Sequence, residues 1–356
     1  MEGTPFLSVI MPMYNAECYV REAIESVQKQ AFEDFELIIV DDKSTDESKA
    51  ICEELQSNDS RIKIHTVKEN GGAGNARNVG IQMAQGQYIT FMDSDDIISP
   101  DLYIDAYKMI EQHNVDMVIW GMTEKYYDKN GTCYLVNCLS MQQMICENVD
   151  EVKKAVICLE EKTLFGYQCN RFYRAAILKE NQIKFEKVVL YEDYFFNLEV
   201  VKHVETLAII ENAGYHYMKR QNESITTRFV PEYFDLSKRR IESMFCLYKQ
   251  WDAVTNKVYQ VLAQRYLRYI LAGLAKSYDE RSNQTFNSRK MWIQSVSEDA
   301  LYNDVVKNCN MNQLTLRILQ FTMNKKMWCF SLVLGKTVWI VKEKMPTIFN
   351  RIRKFK

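Results

Sequence analysis

Three aspartates follow an apolar segment within four positions of the chain. Asp93, Asp95 and Asp96 come directly after QYITFM, which has the composition of a buried strand. Carboxylates this close together disfavour each other's ionisation unless a cation offsets their charge. No histidine or cysteine stands beside them, and a set of oxygen ligands suits Mg²⁺ or Mn²⁺. The pattern therefore predicts a site for a hard divalent cation.

Polar residues also end two other predicted strands. The first strand ends in Met13-Tyr14-Asn15, and the second ends in Asp41-Asp42-Lys43-Ser44. In open α/β sheets, ligands bind outside the carboxyl ends of the strands, so these clusters are expected to share one crevice with the three aspartates. For Asp41 and Asp42 taken singly, a turn or a helix cap is an equally good explanation.

A glycine-rich segment, NGGAGNAR at residues 70–77, begins the third predicted helix. Glycines at a helix N-terminus suit a phosphate ligand, and a tight turn is the alternative. The segment is not a dinucleotide fingerprint, because Arg77 stands where a glycine is needed and the first strand does not precede it. The chain also lacks a G-x-x-x-x-G-K-S/T motif. NAD binding and a P-loop ATPase are therefore rejected.

The elements that must position these residues alternate over the first 121 positions. Strands are predicted at 7–13, 35–42, 61–67, 87–93 and 115–121, and helices at 16–30, 46–57, 74–85 and 100–113. Near-continuous apolar strands that alternate with helices indicate a parallel sheet covered on both faces. After residue 122 the predicted elements are short strands at 122–127 and 206–217, and helices at 150–160, 174–180 and 193–203. From Pro231 onward the pattern is helical.

The composition is that of a globular protein and argues against several classes of protein. The 356 residues are 47% hydrophobic and 26% charged with a formal net charge of −2, which gives no general reason to bind nucleic acid. The ten cysteines form no C-x-x-C pair, which argues against a zinc site and a disulfide scaffold and favours a reducing compartment. The N-terminus has no signal-peptide pattern, and no apolar stretch reaches about 18 residues. A cytoplasmic protein is expected.

Three stretches resemble family 2 glycosyltransferases of the GT-A fold. They are SVIMPMYNAECYVREAIESVQKQAFEDFELIIVDDKSTDES, NGGAGNARNVGIQMAQGQYITFMDSDD and LYEDYFF, and together they span roughly residues 7–220. The resemblance implies a GT-A nucleotide-binding fold with a mostly parallel central sheet. It also implies transfer of a sugar from a nucleotide-sugar donor, a UDP-sugar, with the help of Mg²⁺ or Mn²⁺.

The resemblance assigns the donor's nucleotide to residues of the first half. It places Pro12, Tyr14 and Asn15 against the base, Asp42 at the uracil edge and Arg77 near the nucleotide.

The D-x-D motif of the family corresponds to Asp93-Ser94-Asp95. The resemblance places Asp93 near the ribose and the metal, and makes Asp95 a ligand of the metal that bridges the donor diphosphate. Asp96 is expected to support these two or to belong to the sugar site. In the segment from Tyr215 to Ile225, Arg220 or Lys219 is a candidate for pairing with phosphate, and a solvated basic loop is the alternative.

The resemblance also assigns the chemistry. Asp193, in the E-D pair of LYEDYFF, acts in the family as the base of an inverting single displacement, with Glu192 beside it. An acidic first turn of a helix is the alternative for Glu192. His216 is expected to be a packed strand residue, and Trp120 either stacks on a sugar or belongs to the core.

The predicted organisation is a catalytic domain at 1–230, with a nucleotide-sugar half at about 1–121 and an acceptor half at about 122–230, followed by a helical region at 231–356. The predicted function is sugar transfer to a saccharide or lipid-linked acceptor in cell-surface polysaccharide synthesis. The alternatives are an inactive nucleotide-sugar-binding module and a nucleotidyltransferase on a similar sheet. The latter usually needs a basic phosphate loop after the first strand, where this chain has no Lys or Arg before Arg21.

The end of the chain is basic and apolar. Residues 325–356 contain nine Lys or Arg and one acid, Glu343. Apolar residues at 328–341 and, at helical spacing, at 345–355 predict a peripheral membrane protein with a basic amphipathic tail that contacts an anionic surface. Packing of 327–341 on the rest of the protein, or a dimer interface, are the alternatives.

Overall fold

The structure is a computed structural model that describes residues 3–220 and 230–344. These residues divide into two compact units, which lie within Met1–Ser224 and Ile225–Lys356.

In the described part of the first unit, twelve strands form two sheets. The strands are β1 (Leu7–Met13), β2 (Phe35–Asp41), β3 (Ile62–Thr66), β4 (Tyr88–Phe91), β5 (Ile97–Ile98), β6 (Met117–Ile119), β7 (Met122–Tyr127), β8 (Cys133–Leu139), β9 (Met144–Cys146), β10 (Arg171–Arg174), β11 (Leu207–Ile209) and β12 (Tyr215–Lys219). The helices are α1 (Val20–Gln28), α2 (Ser48–Asn58), α3 (Ala73–Met83), α4 (Leu102–His113), α5 (Val149–Glu161), α6 (Ala175–Glu180) and α7 (Glu192–Val201).

The large sheet has the order β3-β2-β1-β4-β10-β6-β11-β9. Six of its eight strands run in one direction, and β10 and β9 run against them. Every residue of β1, β2 and β4 is buried, as expected for parallel strands whose two faces are covered by helices. The predicted α/β fold with a mostly parallel central sheet is confirmed.

The strand register brings the polar strand ends together. Met13 pairs with Asp41 at the ends of β1 and β2, and Ile10 pairs with Phe91 where β4 ends. The Met92 amide then donates to the Ile10 carbonyl, so the chain continues along β1 toward the three aspartates. The carboxyl ends of these strands therefore share one edge of the sheet.

Strand β10 interrupts the parallel order. It lies between β4 and β6 and is antiparallel to both. The sequence RFYR does not predict a central strand, because arginine is rarely buried. Arg171 is nevertheless buried, and its guanidinium donates to the carbonyls of Leu164 and Phe165 and to the side chain of Asn170. These neutral acceptors satisfy its N–H groups inside the unit.

A small sheet with the order β5-β12-β7-β8 lies beside the acidic strand end. Strand β5 begins one residue after Asp96 and pairs with β12, which in turn pairs in parallel with β7. The single strand predicted at 206–217 is therefore wrong: the segment forms β11 in the large sheet and β12 in the small one. The chain turns at Gly214, where a Cβ atom would lie 2.9 Å from the Cβ of Ser99.

The second unit is helical, as predicted. Its longer helices are α8 (Tyr233–Gln250), α9 (Asn256–Lys276), α10 (Phe286–Glu298), α11 (Leu314–Asn324) and α12 (Trp328–Lys344). Helix α9 packs against α8, α11 and α12. At Gly335, α12 approaches α9 so closely that a Cβ atom there would lie 2.8 Å from the Cβ of Leu274. Within residues 3–220 and 230–344, no helix combines the length and hydropathy needed to cross a membrane.

Candidate active site

The loop after β1 is fixed to the loop after β2. Asn15 adopts a left-handed backbone conformation with φ of 48°, which asparagine tolerates better than most residues. Its amide donates to Ser44 Oγ at 3.0 Å, and its Oδ1 accepts from the Thr45 amide at 2.8 Å. Pro12 lies in the buried strand, whereas the Tyr14 ring is half exposed. Of the three residues predicted to contact the base, Tyr14 thus has an exposed ring available for stacking.

Asp42 holds the glycine-rich segment. Its carboxylate is buried and accepts from the Gly71 amide at 2.9 Å and from the Gly72 amide at 2.7 Å. Its carbonyl oxygen accepts from Asn70 Nδ2 at 3.0 Å. Gly72 has a φ of 84°, which explains the need for glycine just before α3. Both oxygens of Asp42 therefore orient the loop, and its contact with uracil stays a prediction.

Arg77 joins the two acidic segments of the sequence. It lies on α3 and is buried, and its guanidinium bonds the carboxylates of three residues that are far apart in the chain. Nη2 donates to Asp93 Oδ1 at 2.8 Å, and Nη1 donates to Glu192 Oε1 at 2.8 Å and Asp193 Oδ1 at 3.2 Å. The group also lies over the Phe185 ring, 5.3 Å from its centroid.

The charge around Arg77 is unbalanced. Burial alone would lower the pKa of Arg77, but the carboxylates of Asp193, Asp93 and Glu192 raise it above its ordinary value. The guanidinium therefore stays charged, and it supplies one positive charge to three acids. The remaining negative charge favours the binding of a further cation or of a proton at this site. We call Arg77, Asp93, Glu192 and Asp193 the arginine cluster.

Asp93 is oriented from a second side by Gln168. The buried Gln168 side chain donates from Nε2 to Asp93 Oδ1 at 3.2 Å, and the Asp93 amide donates to Tyr215 Oη at 3.2 Å. No sequence pattern indicates Gln168, which follows the segment LFGY between α5 and β10 and belongs to no motif. Its contact with Asp93 spans 75 residues, so no local signal points to it.

Asp96 differs from its two neighbours because it is completely buried. Its Oδ2 accepts from Tyr215 Oη and its Oδ1 from the Met218 amide, both at 2.8 Å. Burial, together with Asp95 and Asp93, raises the pKa of Asp96 well above its ordinary value. Asp96 therefore ties the acidic loop to β12, and its role beside the metal or in the sugar site stays a prediction.

Asp95 points to the exposed side of the loop. Its side chain is half exposed, and its Oδ2 lies 3.7 Å from Arg220 Nη1, which also donates to the Asp95 carbonyl at 2.8 Å. The surrounding protein and the neighbouring Asp93 raise the pKa of Asp95 to about 6. Arg220 stacks on the Tyr19 ring with its guanidinium carbon 4.0 Å from the centroid. The predicted segment beyond Arg220, from 221 to 225, lies outside the described residues.

The E-D pair begins α7. Tyr191, the residue before the helix, has a left-handed backbone with φ of 66°, and Glu192 and Asp193 occupy the first turn, where the helix dipole favours acids. Glu192 lies against α3 at Gly74, where a Cβ atom would be 2.7 Å from its Oε2. Burial raises the pKa of Asp193 to about 7, against the opposing charge of Arg77. Because 29% of its side chain remains exposed, Asp193 is accessible as a base.

Lys219, the other candidate for pairing with phosphate, forms an ion pair within the protein. Lys219 pairs with the buried Glu124 of β7, which also accepts hydrogen bonds from Tyr126, Tyr167 and Asn137. No motif in the sequence points to Glu124. We call these residues the Glu124 pair.

Two aromatic residues considered in the sequence have packing roles. Trp120 is 1% exposed and packs edge-on against Phe172, so it belongs to the core and does not offer a face to a sugar. His216 lies in β12 with Nε2 3.0 Å from Ser99 Oγ, as expected for a packed strand residue.

Asp93 and Asp95 have the chemistry of a divalent-cation site. Within the residues that the structure describes, no three His, Cys, Asp or Glu side chains form a complete metal cage. Mg²⁺ is usually held by one or two carboxylates together with substrate phosphates, so two aspartates suffice on the protein side. Burial and, after it, the neighbouring Asp93 raise the pKa of Asp95, and a bound cation would offset the negative charge of the two aspartates. The two residues therefore fit the predicted metal.

Comparison with known proteins agrees with this geometry. The family profile of Glycosyl transferase family 2 matches residues 8–181. An uncharacterized glycosyltransferase of Haemophilus influenzae is 31% identical over 228 residues, which are 63% of this chain and 82% of the relative. Poly(ribitol-phosphate) beta-N-acetylglucosaminyltransferase TarS of Staphylococcus aureus is 32% identical over 233 residues, or 64% of this chain, and the match spans only 38% of TarS.

A solved structure extends the likeness to both units. The crystal structure of S. aureus TarS 1–349 in complex with UDP-GlcNAc superposes with a TM-score of 0.65 at 25% identity, and the match covers 93% of this chain and 91% of that one. The similarity thus reaches from the predicted catalytic motifs into the helical unit. With the motifs at the carboxyl edge of its sheet, the profile match and the H. influenzae relative, the chain belongs to family 2 of the glycosyltransferases.

Proposed function

We propose that the protein transfers a sugar from a UDP-sugar to a hydroxyl group of a saccharide or lipid-linked acceptor in cell-surface polysaccharide synthesis. Two findings support a UDP-N-acetylhexosamine as the donor class: the S. aureus relative is an N-acetylglucosaminyltransferase, and the similar structure contains UDP-GlcNAc. The polyol-phosphate acceptor in the name of that relative makes a wall polymer a reasonable acceptor class.

The observation that carries the proposal is the arginine cluster. It joins the acidic strand end of the D-x-D motif to the E-D pair, although 99 positions separate Asp93 from Glu192. A single buried cation thus holds the predicted donor residue and the predicted base at one place. Nothing in a purely structural α/β sheet requires an excess of acid there.

The proposed chemistry is a single displacement. Asp193 accepts the proton of the acceptor hydroxyl while the hydroxyl oxygen forms a bond to the anomeric carbon. The bond from that carbon to the diphosphate breaks on the opposite face, so the sugar is transferred with inversion and UDP leaves with the bonding electrons. Arg77 keeps the Asp193 carboxylate in position, and Glu192 packs beside it against α3.

Asp95 and Asp93 are the residues proposed to hold the metal. When bound, Mg²⁺ or Mn²⁺ neutralises the departing diphosphate as a Lewis acid. Asp96 keeps the acidic loop attached to β12, and Gln168 fixes the Asp93 side chain. Arg220, held over Tyr19 at the edge of the loop, is proposed to approach the donor phosphates.

We also propose that the protein acts at a membrane surface without crossing it. Of the apolar residues predicted to contact the membrane, Trp328 and Leu332 are buried in α12, which favours packing for them, whereas Phe330 and Val333 are exposed. The tail residues Met345, Ile348, Phe349, Ile352 and Phe355, with their basic neighbours, lie outside the described residues.

The experiment that tests the function is a panel of UDP- and GDP-sugars, scored for release of the nucleoside diphosphate with and without Mg²⁺ or Mn²⁺. Metal-dependent release of UDP from one UDP-sugar is expected. A nucleotidyltransferase would instead release pyrophosphate from a nucleoside triphosphate. An inactive binding module would bind a UDP-sugar without releasing UDP.

A further inference from the structure

The last two helices of the second unit expose an apolar surface. Its residues are 42–69% exposed, and they are Leu314, Ile318, Phe321, Phe330 and Val333. We call this set the α11–α12 face. Soluble proteins seldom expose clustered large apolar side chains without a partner.

Within each helix, the exposed side chains lie on one stripe because of helical geometry. On α11 they follow at intervals of four and three residues, and on α12 at an interval of three, so each set forms one stripe. The opposite sides of the two helices are buried, as shown by Leu319 on α11 and Leu332 on α12. Both helices pack on α9, so both exposed stripes point away from it.

The two helices are also fixed to each other. Thr322 Oγ1 and Ser331 Oγ lie 2.8 Å apart in a buried hydrogen bond between α11 and α12. This bond, together with the packing of α11 on α12, fixes the two helices that carry the stripes relative to each other.

The segment of the chain that carries this face has basic side chains and no acidic ones between residues 305 and 342. Four basic residues of this stretch are exposed on α11, on α12 or in the connection between them: Arg317, Lys325, Lys326 and Lys336. An apolar surface bordered by these basic residues is complementary to an anionic, partly apolar partner.

We infer that the α11–α12 face docks onto the surface of an anionic lipid bilayer. The exposed rings and aliphatic groups enter the boundary between headgroups and acyl chains, and the border contacts the headgroups. A second copy of the chain is disfavoured as the occupant, because a twofold contact would bring two basic borders into one interface. The inference deepens the proposed membrane location and rests on none of the catalytic assignments.

The test is sedimentation of the full-length protein with vesicles of phosphatidylglycerol and phosphatidylcholine, compared with vesicles of phosphatidylcholine alone. The wild type is expected to prefer the anionic vesicles, and ionic strength near 1 M should abolish the preference, because the Debye length falls to about 3 Å.

Two double variants test separately the apolar side chains of the face and the basic residues that border it. Phe321→Ser with Phe330→Ser removes exposed apolar groups, and Lys325→Glu with Lys326→Glu reverses two border charges. Each is expected to lower the partition coefficient about tenfold or more, since one basic residue near the surface contributes about fivefold. Matched controls at exposed positions of the first unit, Tyr134→Ser with Val136→Ser and Lys129→Glu with Lys154→Glu, should leave partitioning unchanged.

Three outcomes would overturn the inference. If both face variants sediment like the wild type while anionic preference persists, the tail carries the binding and the proposed membrane location survives without the face. Equal binding of the wild type to neutral and anionic vesicles would show that the basic border does not contribute to membrane binding. If light scattering shows a dimer that Phe321→Ser with Phe330→Ser dissociates, the face is an interface between two copies. Vesicle binding needs no donor, so these results are separate from any failure of transferase activity.

Discussion

Two buried ion-pair networks of the first unit differ in how their charge is balanced. In the Glu124 pair, one carboxylate meets one ammonium and three hydrogen-bond donors from Tyr126, Tyr167 and Asn137. In the arginine cluster, one guanidinium serves three carboxylates, with Asp95 close by. Lys219 and the hydrogen bonds lower the pKa of Glu124 although burial raises it, whereas burial and neighbouring acids raise the pKa of Asp193.

The difference separates a structural network from a reactive one. The Glu124 pair is electrically neutral and its hydrogen-bond donors are matched to its acceptors. It therefore has no excess charge for a ligand to offset. The arginine cluster keeps an excess of negative charge that a metal, a proton or a cationic transition state can use. Charge imbalance in a buried network therefore marks the site better than burial or ion pairing alone.

The largest expected effect is at the base. Asp193→Asn keeps the shape of the side chain but cannot take a proton, so kcat should fall about 10² to 10⁴-fold with the KM for the donor nearly unchanged. Steady-state transfer to an acceptor measures this loss. Glu192→Gln is the matched control in the same helical turn and should cost less. Wild-type activity in Asp193→Asn would remove Asp193 from the chemistry.

The next largest effect is on the free energy of unfolding, and it compares the arginine cluster with the Glu124 pair. Arg77→Met leaves three carboxylates around an apolar side chain, and should lower the free energy of unfolding by about 3 kcal/mol, the lower end for a broken buried pair because the acids are partly exposed. Urea denaturation measures it. The double variant Glu124→Gln with Lys219→Met removes both charges of a neutral network and should remain within about 1 kcal/mol of wild type. Equal losses of unfolding free energy in the two variants would contradict the distinction between the neutral Glu124 pair and the unbalanced arginine cluster.

A smaller effect, on metal-dependent UDP binding, is expected at the half-exposed Asp95. Asp95→Asn should weaken metal-dependent UDP binding at least about tenfold, because a ligand of the cation is lost. Isothermal titration with UDP, with and without Mn²⁺, measures this, and circular dichroism should show an unchanged fold. Unaltered metal dependence in the variant would exclude Asp95 as a ligand.

The smallest effect is the pH dependence. Since Asp193 must be deprotonated to act as the base and its pKa is raised to about 7, kcat/KM should be level above that pH and fall about tenfold per unit below it. The residual activity of Asp193→Asn should lack this limb. A limb that persists in the variant would assign the titration to another group.

Much of the first unit is predictable because its signals are local. The strands β1, β2 and β4 are apolar runs that end in polar residues, and the order of a parallel sheet brings such ends to one edge. From this, the sequence predicts the convergence of Asn15, Asp42 and Asp93. The metal site at Asp93 and Asp95, the inversion and the base remain predictions of function that the fold does not test.

The contacts that organise the site are not predictable from local patterns. The sequence places Arg77 near the nucleotide, but its bonds to Glu192 and Asp193 span 115 and 116 residues. Gln168 and Glu124 lie in segments without motifs, and β10 has arginines at both ends of a central strand. Asp42 has the sequence context of a ligand-binding acid, yet its oxygens are used by the amides of Gly71 and Gly72. In each case a tertiary contact, which no window of sequence contains, decides the role.

The attachment of Asp96 to β12 has a consequence for how the protein matures. Both hydrogen-bond donors to its carboxylate come from residues about 120 positions later in the chain. During synthesis, β1, β2 and β4 can therefore assemble while the acidic loop still lacks the partners that hold it, because long-range contacts form late. The nascent chain acquires its ordered acidic loop only after Tyr215 and Met218 have left the ribosome. Premature termination between residues 197 and 214 would therefore yield a fragment that contains all the recognisable motifs but lacks the partners of Asp96.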